Sequence, residues 1–283
     1  TLETRPDYID EKEIADFRRL GATRVELGVQ SIWNDVLKLN RRGHTTAETV
    51  RATKLLKEAG FKINYHMMPE LPGSSPERDV EMFAELFRDP DYRPDMVKIY
   101  PCVVVEGTLL YKWLRSGKYR PYTDEERIDM LAEAKKSIPY YVRITRLIRD
   151  IPSSSIVAGN TITNLRQELE AKGKREGWKC KCIRCREVRS GAMAEEKDIK
   201  LFRQDYEASD GREIFLTFED KERGHLYSLL RLRINSEDAR AGHCLPELKG
   251  AAIIREIHTY GKLVQVEKHD AQSPQHIGLG RRL

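Results

Sequence analysis

The sequence has no run of apolar residues approaching the roughly 20 needed to span a bilayer, and its N-terminus carries no charged, apolar and small-residue signal pattern. These absences argue against a helical membrane protein and against secretion, so a cytoplasmic location with no membrane partner is the expectation. Cysteine is scarce: three of the five, Cys180, Cys182 and Cys185, fall too close together to serve as a disulfide framework. Internal repeats and low-complexity tracts are also missing, which excludes solenoids and arrays. No initiator methionine precedes Thr1-Leu2-Glu3-Thr4, and the chain closes within a glycine motif, so an interior piece of a longer protein is expected. What remains is a highly charged chain of 283 residues with a net charge of +5, long enough for about two domains. Its mild basic excess permits a polyanionic partner without requiring one.

From residue 1 to about 147, short apolar runs alternate with amphipathic stretches, the rhythm of a parallel α/β sheet or barrel. Strands are expected at 1–4, 24–28, 61–67, 96–100 and 142–147. Ser74 with Glu77 and Pro76 marks one helix start, and Thr123 with Glu126 forms a capping box for another. Gly60 ends a helix over 46–59 as a left-handed cap. A charged helix over 164–177 leads into the cysteines, after which long strands are expected at 199–207, 213–219, 225–234 and 251–260. Asp210-Gly211 supplies the hairpin turn between the first two of these. The resulting organisation is a barrel-like domain over 1–163, a linker with the cysteine loop over 164–195, and an α+β domain over 196–283.

Three motifs carry chemistry. Cys180-x-Cys182-x-x-Cys185 gathers three soft ligands into one loop, a spacing that suits structural Zn²⁺, although three ordinary cysteines in a charged loop remain the alternative. A tetrahedral site needs a fourth ligand, for which Cys102 is favoured over Cys244 or a histidine. Basic clusters at 18–19, 41–42, 143–149, 172–181 and 184–189 interleave with Tyr140, Tyr141 and Trp178, a mixture that suits phosphate contacts and base stacking or, more plainly, a solvated surface. At the C-terminal edge, Gln275-His276-Ile277-Gly278-Leu279-Gly280-Arg281 follows a predicted strand and precedes a helix expected near Arg281. Glycine freedom and helix-start amides suit a pyrophosphate there, with a glycine-rich hairpin loop as the plain alternative. Glu256 and His258 alternate along one face of the preceding strand and are candidate bases, His258 also suiting a structural role.

The glycine stretch resembles the acetyl-CoA motif of the large acetyltransferase superfamily, Gln or Arg, two residues, Gly, one residue, Gly or Ala, at Gln275, Gly278 and Gly280. The resemblance implies acetyl-CoA held by Ile257, His258 and Thr259 on the strand and by Gln275, His276, Gly278, Gly280 and Arg281 in the loop. A second resemblance lies in the order of Glu3-Thr4-Arg5-Pro6-Asp7, Gly28-Val29-Gln30-Ser31, Arg42-Gly43-His44 and Leu71-Pro72-Gly73, which look like a radical S-adenosylmethionine (SAM) barrel. With Lys98-Ile99-Tyr100-Pro101 and Arg149-Asp150-Ile151-Pro152, the fusion of both resembles the catalytic subunit family of Elongator across essentially the whole chain.

That resemblance implies a radical SAM partial (β/α) barrel followed by an α+β acetyltransferase-like domain that is truncated at its C-terminus. It implies carboxymethylation of C5 of the tRNA wobble uridine, with acetyl-CoA as carbon donor and a 5′-deoxyadenosyl radical from SAM. By position, Glu3 and Gln30 face the SAM ribose or amino group, Arg42 its carboxylate and His66 the adenosine side; Arg42 beside Arg41 also suits a plain surface. The family's 4Fe–4S cluster would need three cysteines spaced three then two residues apart, upstream of this chain. Expected partners are a tRNA anticodon stem-loop, with a second copy of the chain or Elongator-type subunits. The rival readings are a protein lysine acetyltransferase and a non-catalytic tRNA-binding fragment.

Overall fold

Polar and apolar side chains alternate through the strands of the N-terminal half, and that alternation assigns each strand two different faces. The structure, a computed structural model, describes residues 1–148, 151–189, 196–261 and 278–283. Strands β1 (Leu2–Thr4), β2 (Arg24–Gln30), β3 (Lys62–Met67), β4 (Met96–Ile99) and, beyond the short β5 (Val103–Val105), β6 (Arg143–Arg146) form a five-stranded sheet in the order β1-β2-β3-β4-β6. All its pairings are parallel. On the outer face Val25, Leu27, Val29, Ile63, Tyr65, Val97 and Ile144 are buried. They pack with Phe17 of α1 (Glu11–Arg19), Leu56 of α3 (Thr46–Glu58), Phe83 of α4 (Pro76–Arg88) and Leu131 of α6 (Asp124–Ser137). The inner face is left to Glu26, Asn64, His66, Lys98 and Thr145. This is the open parallel barrel expected, with a polar lumen. The short α2 (Asn34–Leu39) and α5 (Leu109–Arg115) lie in the connections, and β5 pairs antiparallel with β7 (Ile156–Gly159) as a separate ribbon.

Helix boundaries follow local chemistry. Capping boxes close the starts of α3 (Thr45 with Glu48) and α6 (Thr123 with Glu126). The cap of α4 is Ser75 rather than Ser74, because Pro76 occupies the first helical position and the Ser75 hydroxyl accepts from Arg78 N. Gly60 ends α3 at φ +77°, and a Cβ there would also sit 2.8 Å from Ile253 Cγ2.

The second sheet is an antiparallel meander of β8 (Ile199–Ala208), β9 (Gly211–Asp220), β10 (Leu226–Ile234) and β11 (Ala252–Thr259), in the order β11-β10-β9-β8. The β8–β9 turn is centred on Ser209-Asp210, one residue before the expected pair: both have positive φ, 47° and 58°, and Ala208 faces Gly211. Gly211 serves packing instead, since a Cβ there would lie 2.5 Å from Arg233 Nη2. α7 (Leu165–Glu176) and α8 (Ile183–Arg186), in the stretch expected as a linker, join the barrel's own core through Leu165, Leu169, Cys182 and Ile183. Phe215, Leu226 and Leu229 of the meander belong to that core too.

Where the meander meets the N-terminal ends of the barrel strands, a set of charges is buried. Arg255 Nη2 lies 2.6 Å from Asp95 Oδ1 and 2.8 Å from Glu213 Oε2, Arg233 Nη1 lies 3.1 Å from Glu213 Oε1, and Arg231 reaches Asp95. Lys57 Nζ stands 4.0 Å from Asp95 and 3.8 Å from Glu213. Burial opposes ionisation of Asp95, but Arg255 and Lys57 outweigh it and hold its carboxyl below the usual range. Burial pushes Lys57 down to about 8.

Arg255→Ala would strand Asp95 and Glu213 without their shared cation, and a loss of about 3–5 kcal/mol is expected in denaturant unfolding. Lys57→Met tests the lysine separately. Its lowered folded pKa means that the unfolded chain binds more protons between about 8 and the ordinary lysine value of 10.5. Wild-type stability relative to the variant is therefore flat below pH 8 and rises with pH across that window; a flat difference throughout would refute the assignment.

Candidate functional site

The lumen residues sit at or near the C-terminal ends of parallel strands, where this architecture places its chemistry. Glu26 is the hub. His66 Nε2 lies 2.7 Å from Glu26 Oε2, Lys98 Nζ donates to the same oxygen, and Arg24 Nε stands 3.6 Å from Oε1. Burial pushes the Glu26 carboxyl up, but Lys98 and His66 outweigh it and the group stays below the usual range. His66 Nδ1 lies 3.4 Å from Glu3 Oε1, and its ring meets the edge of Tyr100 at 5.6 Å. Glu3, Glu26 and His66 thus converge within 4.8 Å, and the Lys98 ammonium, paired with Glu26, already supplies a cation to this polar set.

Gln30 closes the strand end in a left-handed conformation, φ 69°, uncommon for a residue with a side chain. A Cβ at Gly28 would lie 3.0 Å from Gln30 Nε2, 3.6 Å from Arg42 Nη2 and 3.7 Å from Thr4 O, so glycine there lets the three converge. Buried His44 backs this cluster, Nε2 lying 3.2 Å from Val29 O; burial lowers its pKa and favours the neutral ring. Glu3, Gln30, Arg42 and His66, each expected from the sequence, therefore lie around one mouth. Glu26 and Lys98 were not expected as site residues, although the alternation Arg24-Val25-Glu26-Leu27-Gly28 carries the signal that every second residue faces inward.

The thiols of Cys180, Cys182 and Cys185 also converge within 4.8 Å. Hydrogen bonds from Cys180 and Cys185 lower the Cys182 thiol against the opposing effect of burial, and Ile144 N adds to them. Ile183 N donates to Val142 O at 2.9 Å, so the loop covers the outer edge of β6. Three soft sulfurs at this separation fit a thiophilic metal such as Zn²⁺. They lie against the N-terminal half of β6, away from Gln30 and His66, which does not fit a cluster acting at the lumen mouth. Cys102 is not a fourth ligand: it is buried with Val36 and Leu71 beside Tyr119, tied by its own N to Pro69 O at 2.9 Å. The sequence placed it next to a strand end but could not say which end the loop approached.

On β11, Glu256 is engaged at the sheet–barrel junction, with Arg231 Nε at 2.9 Å and Lys62 Nζ at 3.1 Å. Burial opposes these cations, which nonetheless hold its carboxyl below the usual range, so it is an anchored anion rather than a free base. His258 is exposed and packs on Tyr260 at 4.4 Å; partial desolvation lowers its pKa. Gln275, His276 and Arg149-Asp150 lie outside the described residues. Gly278 takes φ +76°, and α10 (Leu279–Arg282) begins two residues before the expected Arg281 because Leu279 is buried against Ile199, Phe218 and Tyr227. A Cβ at Gly280 would approach Thr259 Oγ1 to 3.2 Å, so glycine sets the contact of strand and helix. Ile257, outward on β11, is half exposed at 51%.

Residues 1–86 match the Radical SAM superfamily and residues 94–175 the Radical_SAM C-terminal domain, which gives the barrel its class. Over its full length the chain is 46% identical to "tRNA uridine(34) acetyltransferase" of Methanocaldococcus infernus and 40% identical to "Elongator complex protein 3" of Danio rerio, covering 53% and 52% of those proteins. The archaeal Methanocaldococcus infernus Elp3 with an N-terminal deletion is similar in structure, with a TM-score of 0.88 at 45% identity over 99% of this chain and 66% of that one. The chain belongs to the Elongator complex protein 3 and tRNA uridine(34) acetyltransferase family, and it spans about half the length of the curated relatives it matches.

Purified protein is expected to carry about one zinc per chain, lost in Cys182→Ser and retained in Cys102→Ala. Metal analysis giving less than about half an equivalent in the wild type would reject the site.

Proposed function

We propose that the chain carries the barrel and the opening strands of the acetyl-CoA domain of an enzyme that carboxymethylates C5 of the wobble uridine of tRNA. The observation that carries this reading is the ion-paired lumen cluster of Glu3, Glu26, His66 and Lys98, at whose mouth Gln30 and Arg42 converge over Gly28. The names of the relatives, tRNA uridine(34) acetyltransferase and Elongator complex protein 3, support the choice of substrate.

In this reading Glu3 and Gln30 receive the ribose or ammonium of SAM, Arg42 its carboxylate, and His66 the adenosine side. The Gly28 cradle fits such a ligand, because the missing side chain lets the Gln30 amide, the Arg42 guanidinium and Thr4 O converge on one point. When bound with a 4Fe–4S cluster, SAM supplies hydrogen abstraction by a 5′-deoxyadenosyl radical, and acetyl-CoA supplies the two-carbon unit. The chain's own residues orient and insulate. Lys98 keeps Glu26 ionised, Glu26 fixes the His66 ring, and His66 in turn holds or moves a proton between Glu26 and Glu3. For acetyl-CoA, the exposed edge of β11 at Ile257, His258 and Thr259 faces pantetheine, while Gln275, His276, Gly278, Gly280 and Arg281 take the pyrophosphate. Zn²⁺ at Cys180, Cys182 and Cys185 is structural and fastens the loop to β6. The anticodon stem-loop reaches the lumen mouth, and a second copy of the chain or Elongator-type subunits complete the assembly in the cytoplasm.

The test is nucleoside mass spectrometry of unmodified tRNA after incubation with the full-length protein, reduced cluster, SAM and acetyl-CoA. Wild type is expected to give 5-carboxymethyluridine at the wobble position. Glu26→Gln should lower the rate at least about tenfold with the fold intact, and Gln30→Ala should weaken SAM binding by a similar factor. Acetylation of a lysine peptide without tRNA, and no uridine product, would replace this reading with a protein acetyltransferase.

A further inference from the structure

Outside the lumen, a cavity of about 570 Å³ opens between α6, α7, the cysteine loop and the β9–β10 turn. Its lining is cationic: Lys135, Lys174, Lys179, Lys181, Arg186 and Arg223, against the carboxylates Glu170 and Glu222. Two of these cations are already placed. Arg186 and Arg223 share Glu219, and their guanidiniums stand 4.7 Å and 3.8 Å from the Tyr140 ring, a rigid floor. Lys135 is 1% exposed, yet it lines the cavity and makes no hydrogen bond to a described residue. The Cys185 sulfur lies within range of its charge. A Zn²⁺ ion held by three thiolates would carry a single net negative charge, too little for the four lysines of the lining. Lys174, Lys179 and Lys181 form no ion pair with a described residue, and Lys181 approaches Tyr140 at 5.7 Å. Trp178, also in the lining, is fixed: its ring packs on Gly173, Lys136 Nζ stands 5.5 Å from the ring centroid, and its Nε1 donates to Glu176 at 2.9 Å.

Like charges crowded around a concave, partly apolar space repel one another unless an anion sits among them. We propose that this cavity is a nucleotide-phosphate site separate from the lumen: Lys135, Lys179 and Lys181 take the phosphate, and the sugar or base lies against Trp178. The volume suits one nucleotide unit, either from an RNA strand, which rests on the tRNA reading above, or from a free nucleotide. With RNA, the cavity fixes a second point on the same strand that presents a base to the lumen.

The test uses the full-length protein with AMP, followed by Trp fluorescence, and with unmodified tRNA, followed by filter binding across a salt series. Lys179→Ala/Lys181→Ala removes two exposed lysines, and Lys12→Ala/Lys249→Ala is the charge-matched control. The cavity double variant should bind tRNA about tenfold more weakly at low salt, and the slope of log K against log salt should become shallower by about 2, one per lost phosphate contact. SAM binding and zinc content should not change. If wild type ignores tRNA but binds AMP, and the double variant loses AMP, the site stands with a free nucleotide as its source and the tRNA reading falls. If wild type binds tRNA and the double variant keeps its affinity and slope, or the control loses as much, the proposed site is refuted while the tRNA reading survives.

Discussion

The fold depends on two buried anions, Asp95 and Glu213, and above all on Asp95 with the cations gathered around it. Asp95 sits just before β4, accepts Ile63 N at 2.9 Å and so fixes the start of β3, while Arg255 and Arg231 reach it from the meander. One carboxylate thus aligns two barrel strands and anchors a second sheet. Buried charges at 0–1% exposure contribute little net stability compared with apolar packing, but each restricts its partners to one geometry. The consequence is a meander whose β11 is held in register beneath the barrel by Arg255 and Glu256, at the end opposite the lumen mouth.

Much of this architecture was legible in the residues. The five parallel strands and four antiparallel strands lie close to where apolar periodicity puts them, because each outer face buries a continuous set of Val, Ile and Leu. Caps were legible to within a residue, and the Ser75 and Ser209-Asp210 offsets have local causes, a proline at the first helical turn and a preference for two left-handed residues. What the sequence could not provide was the meeting of distant elements. Nothing local distinguishes Arg231, Arg233 and Arg255 from surface arginines on a strand, or Glu256 from a candidate base; their ion-pair partners are 20 to 194 residues away. Cys102 was misjudged for the same reason, since adjacency to a strand does not say which end of the barrel a loop visits.

The lumen shows how a strand supports chemistry on one face by burying the other. Val25, Leu27 and Val29 fix β2 against the helices, and Arg24, Glu26 and Gly28 consequently point inward with little freedom. Burial alone would neutralise Glu26; Lys98 and His66 keep it charged, and the shared charge orients the imidazole. The glycine at 28 and the left-handed Gln30 then make room at the strand end where the side chains from β1, β2 and the loop after α2 converge.

The two-faced character of β2 also sets limits on how this sequence can drift. Side chains alternate with a period of two, so inserting or deleting one residue between Thr23 and Glu26 would exchange the faces of everything that follows in the strand. Val25 and Leu27 would enter the lumen, and Glu26 would be driven beneath the helices beside Phe17 and Leu56. Such an event removes the core and the lumen side chains together, whereas the same length change at Gly107 or Gly117, where nothing lies within 4 Å of a Cβ, touches neither. A change of length is accordingly best absorbed at turns of that kind, and the seven residues of β2 keep their faces only as a unit.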